Sequence, residues 1–247
     1  MTDIQELVIS KLTDKLSELE YVCSLVLIGS LATELNDEYS DLDFWVTVKD
    51  GFEKDVIKKV NSIISDIGDI DVNFQFINNS DYSGRRVFHI AGTPAWHKIE
   101  IAVAPISKAY IYTKGLDAPV KVLINKDNAV KFQELNEDKL KQTMQEKLIY
   151  LKDLFDVHKA EVDKYCKRNK FLEAYQYYEM FALQPLVASV RAVYTPTKQG
   201  FYLKHIYQDL PKEMVDRIES LYIIKNVEDI KSNLVKIEDL FIELKII

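Results

Sequence analysis

Asp41-Leu42-Asp43 is the part of this chain whose residue types and spacing do chemistry. It lies in the stretch VLIGSLATELNDEYSDLDFWVTV, between an apolar run ending in Gly29-Ser30 and a second apolar run. Side chains alternate along a strand, so Asp41 and Asp43 share one face. Two carboxylates side by side repel unless something positive sits between them. A divalent metal answers that need, and Mg2+ characteristically takes one or two carboxylates plus substrate phosphates. The Gly29-Ser30 turn offers backbone N–H groups and a hydroxyl, which suit a phosphate. The Ser30 hydroxyl would equally serve to cap a helix.

A catalytic pair of metal-bound acids needs a third group, either to accept a proton or to complete the metal shell. Glu100, in KIEIAVAP, is the first candidate. A carboxylate in mid-strand among apolar residues is costly without a partner, and Ala102 and Ala104 on its face leave room for a ligand. Asp71 is the competitor, at a strand start where an acid is cheaply solvated. Arg85-Arg86, just before a strand, reads as a solvated pair or as a phosphate contact. Trp96 and His97, just ahead of the Glu100 strand, read as half-buried packing or as the lining of a pocket.

The elements that must position these residues follow from periodicity. Residues 3–20 repeat apolar side chains at helical spacing, and 22–28 and 42–48 read as strands with a short helix or turn at 31–36. Residues 53–66 form an amphipathic helix, and 70–77 alternate as a strand. RRVFHIAG and HKIEIAVAPI are two further strands joined by Gly92-Thr93-Pro94. Past about residue 126 the strand pattern stops. Helices are expected at 137–168, opened by Asn136, and at 171–193, kinked near Pro185, with shorter ones at 199–208, 212–223 and 227–244. The fold class is α+β: a mixed sheet with flanking helices over 1–125, then an all-helical bundle over 126–247.

Composition narrows the partners. The 247 residues are 47% hydrophobic and 29% charged, ordinary for a globular chain. The net charge of −7 argues against a nucleic acid polymer, which requires a basic surface. No apolar run is long enough for a membrane span, and the N-terminus lacks the apolar core of a secretion signal. Cys23 and Cys166 are the only cysteines, and the former falls in a strand; a cytoplasmic location fits. Four histidines show no zinc-ligand spacing. The apolar C-terminal helix ending in Ile246-Ile247 would pack on its own chain or on a second copy in a homodimer.

The Gly-Ser turn, the Asp-x-Asp strand and a later strand with a single acid resemble the polymerase-beta-type nucleotidyltransferase superfamily. With a helical second half, the chain is most similar to the aminoglycoside and lincosamide adenylyltransferases. The resemblance implies a nucleotidyltransferase fold for the sheet domain and Mg2+ as cofactor. It implies transfer of a nucleoside monophosphate, AMP from ATP, to a hydroxyl of a small molecule. Asp41, Asp43 and Glu100 would hold metal and catalyse, and Gly29 and Ser30 would bind the nucleotide. LVASVRAVYTPTKQGFYLKHIYQDLP also resembles the segment that follows the catalytic domain in spectinomycin/streptomycin adenylyltransferases. That likeness implies phosphate contacts from Arg191 and from Lys198 or Lys204.

Other residues on the helices stay open to two readings. Tyr175, Tyr177 and Tyr178 with Glu179 read as helix packing or as a lining for a cationic sugar. Glu173 and Asp153 are further acids on helices. Two other functions compete. One is nucleotidyl transfer to a protein partner, as in antitoxin-like enzymes, against which the long helical half argues. The other is a non-catalytic nucleotide-binding module, against which three acids in one cleft argue.

Overall fold

The computed structural model describes residues 1–33, 36–76 and 84–244. These form two compact units, Met1–Glu134 and Leu135–Ile247.

Among the described residues, the first unit is built on eight strands and two α-helices. Helix α1 (Asp3–Ser17) starts at a capping box, in which Thr2 and Gln5 satisfy each other's backbone N–H groups. It leads into β1 (Val22–Ile28), a 3-10 turn (Ser30–Ala32), β2 (Leu42–Val48) and α2 (Glu53–Ser65). Then follow β3 (Ile70–Gln75), β4 (Arg86–Ile90), β5 (Ile99–Pro105), β6 (Ile111–Lys114), β7 (Lys121–Asn125) and β8 (Lys131–Glu134). The main sheet has the order β3-β4-β5-β2-β1-β7, and β6 pairs with β8 separately. Among the described residues, only β2 and β5 run parallel within the main sheet. The fold is therefore α+β, as the sequence pattern implies.

One face of the sheet carries the core. Leu42, Phe44, Val46 and Val48 of β2 and Ile99, Ile101 and Val103 of β5 are buried in one cluster with Val8, Leu12 and Leu16 of α1 and the apolar stripe of α2. Alternation then sends Asp43 and Glu100 to the opposite face. At the far end of that face, Val26 packs with Tyr112 of β6 and Val130, with Trp45 against them.

Strand structure runs past residue 126, where the sequence pattern ends it. All four residues of β8 are exposed, so no alternation of apolar and polar residues announces that strand.

The second unit is helical: α3 (Glu137–Lys167), α4 (Phe171–Tyr178), α5 (Gln184–Tyr194), α6 (Ile206–Asp209), α7 (Lys212–Tyr222) and α8 (Val227–Glu243). Asn136 caps α3 by accepting from Lys139 N at 2.8 Å. The expected break near Pro185 is a π-helical turn, Glu179–Leu183, immediately before it. Proline has no N–H to give the preceding turn, so the ladder there shifts its register. The helix expected at 199–208 is instead a 3-10 stretch (Pro196–Phe201) and the single turn α6, separated by Tyr202 and His205 with φ of 51° and 60°. Two left-handed non-glycine residues cannot continue a helix. Glu34, Leu35, Ile77, Ile246 and Ile247, which the sequence assigns to element ends, lie outside the described residues.

Candidate active site

Two of the candidate acids, Asp43 and Glu100, fall on one register line. Ile28 pairs with Asp43 between β1 and β2, Asp43 with Glu100 between β2 and β5, and Glu100 with Val87 between β5 and β4. Asp43 and Glu100 thus stand on adjacent strands, about 4.8 Å apart in backbone, on the face away from α1 and α2. Asp41 precedes β2 by one residue, half-buried, and reaches the same side by alternation.

Gly29 explains why the preceding turn has its sequence. Its φ is +76°, and a Cβ built there would lie 2.5 Å from Asp43 Oδ2. Both the backbone conformation and the closeness of the carboxylate require glycine. Ser30 opens the 3-10 turn rather than capping it; Gly29 occupies the cap position and no side chain bonds there. The turn is closed by Ala32 N donating to Gly29 O at 3.2 Å and Thr33 N to Ser30 O at 3.1 Å.

Glu100 has a partner that the sequence does not suggest. Arg85 Nε donates to Glu100 Oε1 at 2.6 Å, and the Arg85 guanidinium lies 4.5 Å from the Phe76 ring centroid. The hydrogen bond to Glu100 pushes the Arg85 pKa up against the effect of burial, and the charges of Glu100 and Asp43 add to it. Arg85 is therefore a counter-cation of the acid row, although its side chain remains 46% exposed. Arg86 points elsewhere, donating to Asn73 and Gln75 at 2.9 Å each.

Asp71, the competing third acid, is committed to His89. His89 Nδ1 lies 2.6 Å from Asp71 Oδ1, while Nε2 is 3.0 Å from Pro94 O and 3.1 Å from Thr93 Oγ1. The Asp71 bond raises the His89 pKa. Trp96 is 46% exposed and donates from Nε1 to Glu38 O at 3.0 Å; His97 is buried and bonds the same carbonyl.

In the second unit Arg191 and Lys198 meet on one carboxylate. Arg191 is fully buried. Its Nη1 donates to Asp209 Oδ2 at 2.6 Å, Nε to Tyr202 O at 2.8 Å and Nη2 to Lys204 O at 2.6 Å. Lys198 Nζ donates to Asp209 Oδ1 at 2.6 Å, with its side chain 47% exposed. Burial pushes the Asp209 carboxyl up, but hydrogen bonds from Lys198 and Arg191 outweigh it and leave it below the ordinary value. Arg191 thereby ties down the carbonyls of the left-handed segment around Tyr202. Asp209 was not singled out by the sequence; the signal was an acid in YQDLP just downstream of two candidate cations.

Two of the three tyrosines on α4 pack within the helical unit, while Tyr175 is exposed. Tyr178 is buried with its hydroxyl donating to Leu221 O at 2.9 Å, and the Tyr177 ring lies tilted against Tyr165, 5.1 Å between centroids.

A family model described as Nucleotidyltransferase domain matches residues 9–151. The chain belongs to this family. The match spans more than half of the sequence and contains Gly29, Ser30, Asp41, Asp43 and Glu100. The protein is thus a nucleotidyltransferase, and nucleotidyltransferases use nucleoside triphosphates, generally with a divalent metal ion. No curated protein sequence matches the chain. Among solved structures, an aminoglycoside 6-adenyltransferase from Bacillus subtilis is similar at 14% identity and a TM-score of 0.38, over 99% of this chain and 89% of that one. That likeness is too distant to bear on the acceptor of this nucleotidyltransferase. No helix among the described residues is long and apolar enough to cross a membrane.

Proposed function

We propose that this nucleotidyltransferase transfers AMP from ATP, with Mg2+, to a hydroxyl of a small molecule. The observation that carries the reading is the register pairing of Asp43 with Glu100 beside a Gly29 turn that only glycine fits.

The donor set suits a hard divalent cation. Among the described residues no three His, Cys, Asp or Glu side chains converge as a ready metal cage. Mg2+ does not ask for one: one or two carboxylates and phosphate oxygens suffice. Asp41 and Asp43 would hold it, with Glu100 as a further ligand or as the base. When bound, the ion neutralises charge on the transferring phosphoryl group.

The chain's own residues then divide the work. The turn at Gly29-Ser30 presents backbone N–H groups to the β- and γ-phosphates. Glu100 takes the proton of the acceptor hydroxyl as its oxygen bonds to the α-phosphorus; the bond from that phosphorus to pyrophosphate breaks, and the electron pair leaves with pyrophosphate. Arg85, already on Glu100, orients that carboxylate. Lys198, the half-exposed ammonium on Asp209, is the proposed phosphate cation of the helical unit. Arg191 acts through it, by holding the segment around Lys198 and Tyr202.

The test is pyrophosphate release with Mg2+ and ATP over a panel of hydroxyl compounds, alongside the melting shift that Mg·ATP produces. Stabilisation by Mg·ATP and acceptor-dependent release are expected. No Mg2+-dependent stabilisation by any nucleoside triphosphate would sink the proposal.

A further inference from the structure

Helix α3 turns an apolar stripe inward, and one lysine stands in it. Met144, Leu151 and Phe155 are buried, and Leu148 packs against the core of the helical unit. Lys147 falls on the same face by helical spacing and is itself half-buried. A lysine in such a position is ordinarily paired with an acid. Its neighbours one turn away on α3 are Thr143, Met144, Tyr150 and Leu151, none of them a carboxylate.

No carboxylate reaches Lys147 from elsewhere among the described residues. Its Nζ donates to the amide oxygen of Gln199, Oε1, in the 3-10 stretch Pro196–Phe201. Lys159, Lys212 and Lys231 have their pKa values raised, each first by a hydrogen bond to a carboxylate. Lys147 moves the other way, lowered by burial alone.

The segment that holds Lys147 already carries a cation. Lys198 precedes Gln199, and its ammonium is half-exposed on Asp209. Both Asp209 oxygens are engaged, one by Lys198 and one by Arg191. Around residues 196–204 three cations are thus bonded, Lys147, Lys198 and Arg191, and the bonds give them one carboxylate. A desolvated ammonium that the fold leaves without a counter-ion is a local cost, and such costs mark sites where the counter-ion is a ligand.

The chemistry of that ligand follows from the cations and the family. An ammonium is a compact charge that suits a phosphate oxygen. Two lysines bonded to neighbouring parts of one short segment suit two linked phosphates. The net charge of −7 disfavours a nucleic acid polymer, while nucleotidyltransferases use nucleoside triphosphates. We propose that Lys147 is a second phosphate-contacting cation of the helical unit, forming with Lys198 a subsite for a polyphosphate chain that Gln199 holds in place. The proposal rests on the nucleotidyl-transfer reading above for the nucleotide's identity and adds a residue to it.

The test titrates inorganic tripolyphosphate and orthophosphate into the full chain without Mg2+, and then Mg·ATP. The native chain is expected to prefer tripolyphosphate. Lys147→Met keeps the apolar stem and removes the charge. It should weaken tripolyphosphate and Mg·ATP about tenfold and leave the thermal midpoint of the unliganded chain at or above the native value. Lys141→Met, an equal loss of charge at an exposed position of the same helix, should change neither affinity. No preference for tripolyphosphate, an equal loss in Lys141→Met, or a lowered midpoint in Lys147→Met with both affinities intact overturns the subsite; the last marks a structural clamp. Weakened tripolyphosphate beside unchanged Mg·ATP overturns its assignment to the nucleotide. Absence of any Mg·ATP stabilisation in the native chain overturns the nucleotidyl-transfer reading instead, and the tripolyphosphate titration, which needs neither metal nor transfer, keeps the two failures apart.

Discussion

The two units handle charge in opposite ways. In the first, Asp41, Asp43 and Glu100 gather on one open face with Arg85 among them. In the second, Asp209 is 4% exposed and its two oxygens take Arg191 and Lys198, one each. On the proposed reading, the first arrangement concentrates like charge where a cation and a triphosphate would enter. The second neutralises opposite charges within the fold, where each ion needs the other. Charge at the first site is held, on that reading, for binding and chemistry, whereas the buried Arg191–Asp209 pair of the second holds the chain in place and the half-exposed Lys198 is left to meet a ligand.

Removing one acid from each unit separates the two roles. Asp43→Asn is expected to lower turnover on the order of a thousandfold. It should leave the thermal midpoint near the native value, because relief of repulsion from Glu100 offsets the lost attraction to Arg85. Asp209→Ala should do the reverse: a loss of about 3–5 kcal/mol of stability, since Arg191 is then a buried cation without its counter-ion. Denaturant unfolding of both variants beside pyrophosphate release checks this. An unfolded Asp43→Asn variant or a fully stable Asp209→Ala variant would reverse the assignment of roles.

Gly29→Ala probes the boundary between stability and chemistry. The left-handed φ alone costs about 1–2 kcal/mol, and the new Cβ meets Asp43 Oδ2 at 2.5 Å, so the carboxylate must move. Turnover should fall with stability, and more steeply than the loss of folded protein accounts for. Lys198→Ala is a smaller change. It removes the exposed cation but leaves Arg191 on Asp209, so ATP affinity is expected to weaken about tenfold with little change in melting. Lys204→Ala should leave affinity unaltered, because its carbonyl, not its ammonium, is what Arg191 uses.

What the sequence disclosed and what it hid follow from the same contrast. The acid row was legible because strands β1, β2 and β5 alternate or run apolar, and a strand's period fixes which side chains share a face. Glycine before Ser30 was legible as a turn, though its closeness to Asp43 was not, since that depends on the β1–β2 register. Arg85 was read as solvated because a loop arginine carries no periodic signal; only the pairing of β4 with β5 puts it on Glu100. Strand β8 was missed because all its residues are exposed. Arg191 was found as a cation on a helix, but its partner Asp209 comes from beyond a break in the chain that no pattern encodes. Non-glycine residues at positive φ, Tyr202 and His205, are imposed by the tertiary bonds that surround them.

The smallest effect concerns Asp71, the competing candidate for the third acid. His89 gains a carboxylate partner on folding, so its folded pKa stands above the ordinary value of about 6.5. Such a histidine contributes stability that is fully present below the unfolded value and is lost as pH rises through the folded value. Asp71 is 49% exposed, so solvent screens the pair and the contribution is modest. The native chain should therefore lose a little thermal stability as pH rises from slightly acid to slightly alkaline. Asp71→Asn should flatten that loss, without changing the pH dependence of turnover. A change in turnover comparable to that of Asp43→Asn would return Asp71 to the catalytic row and move Glu100 out of it.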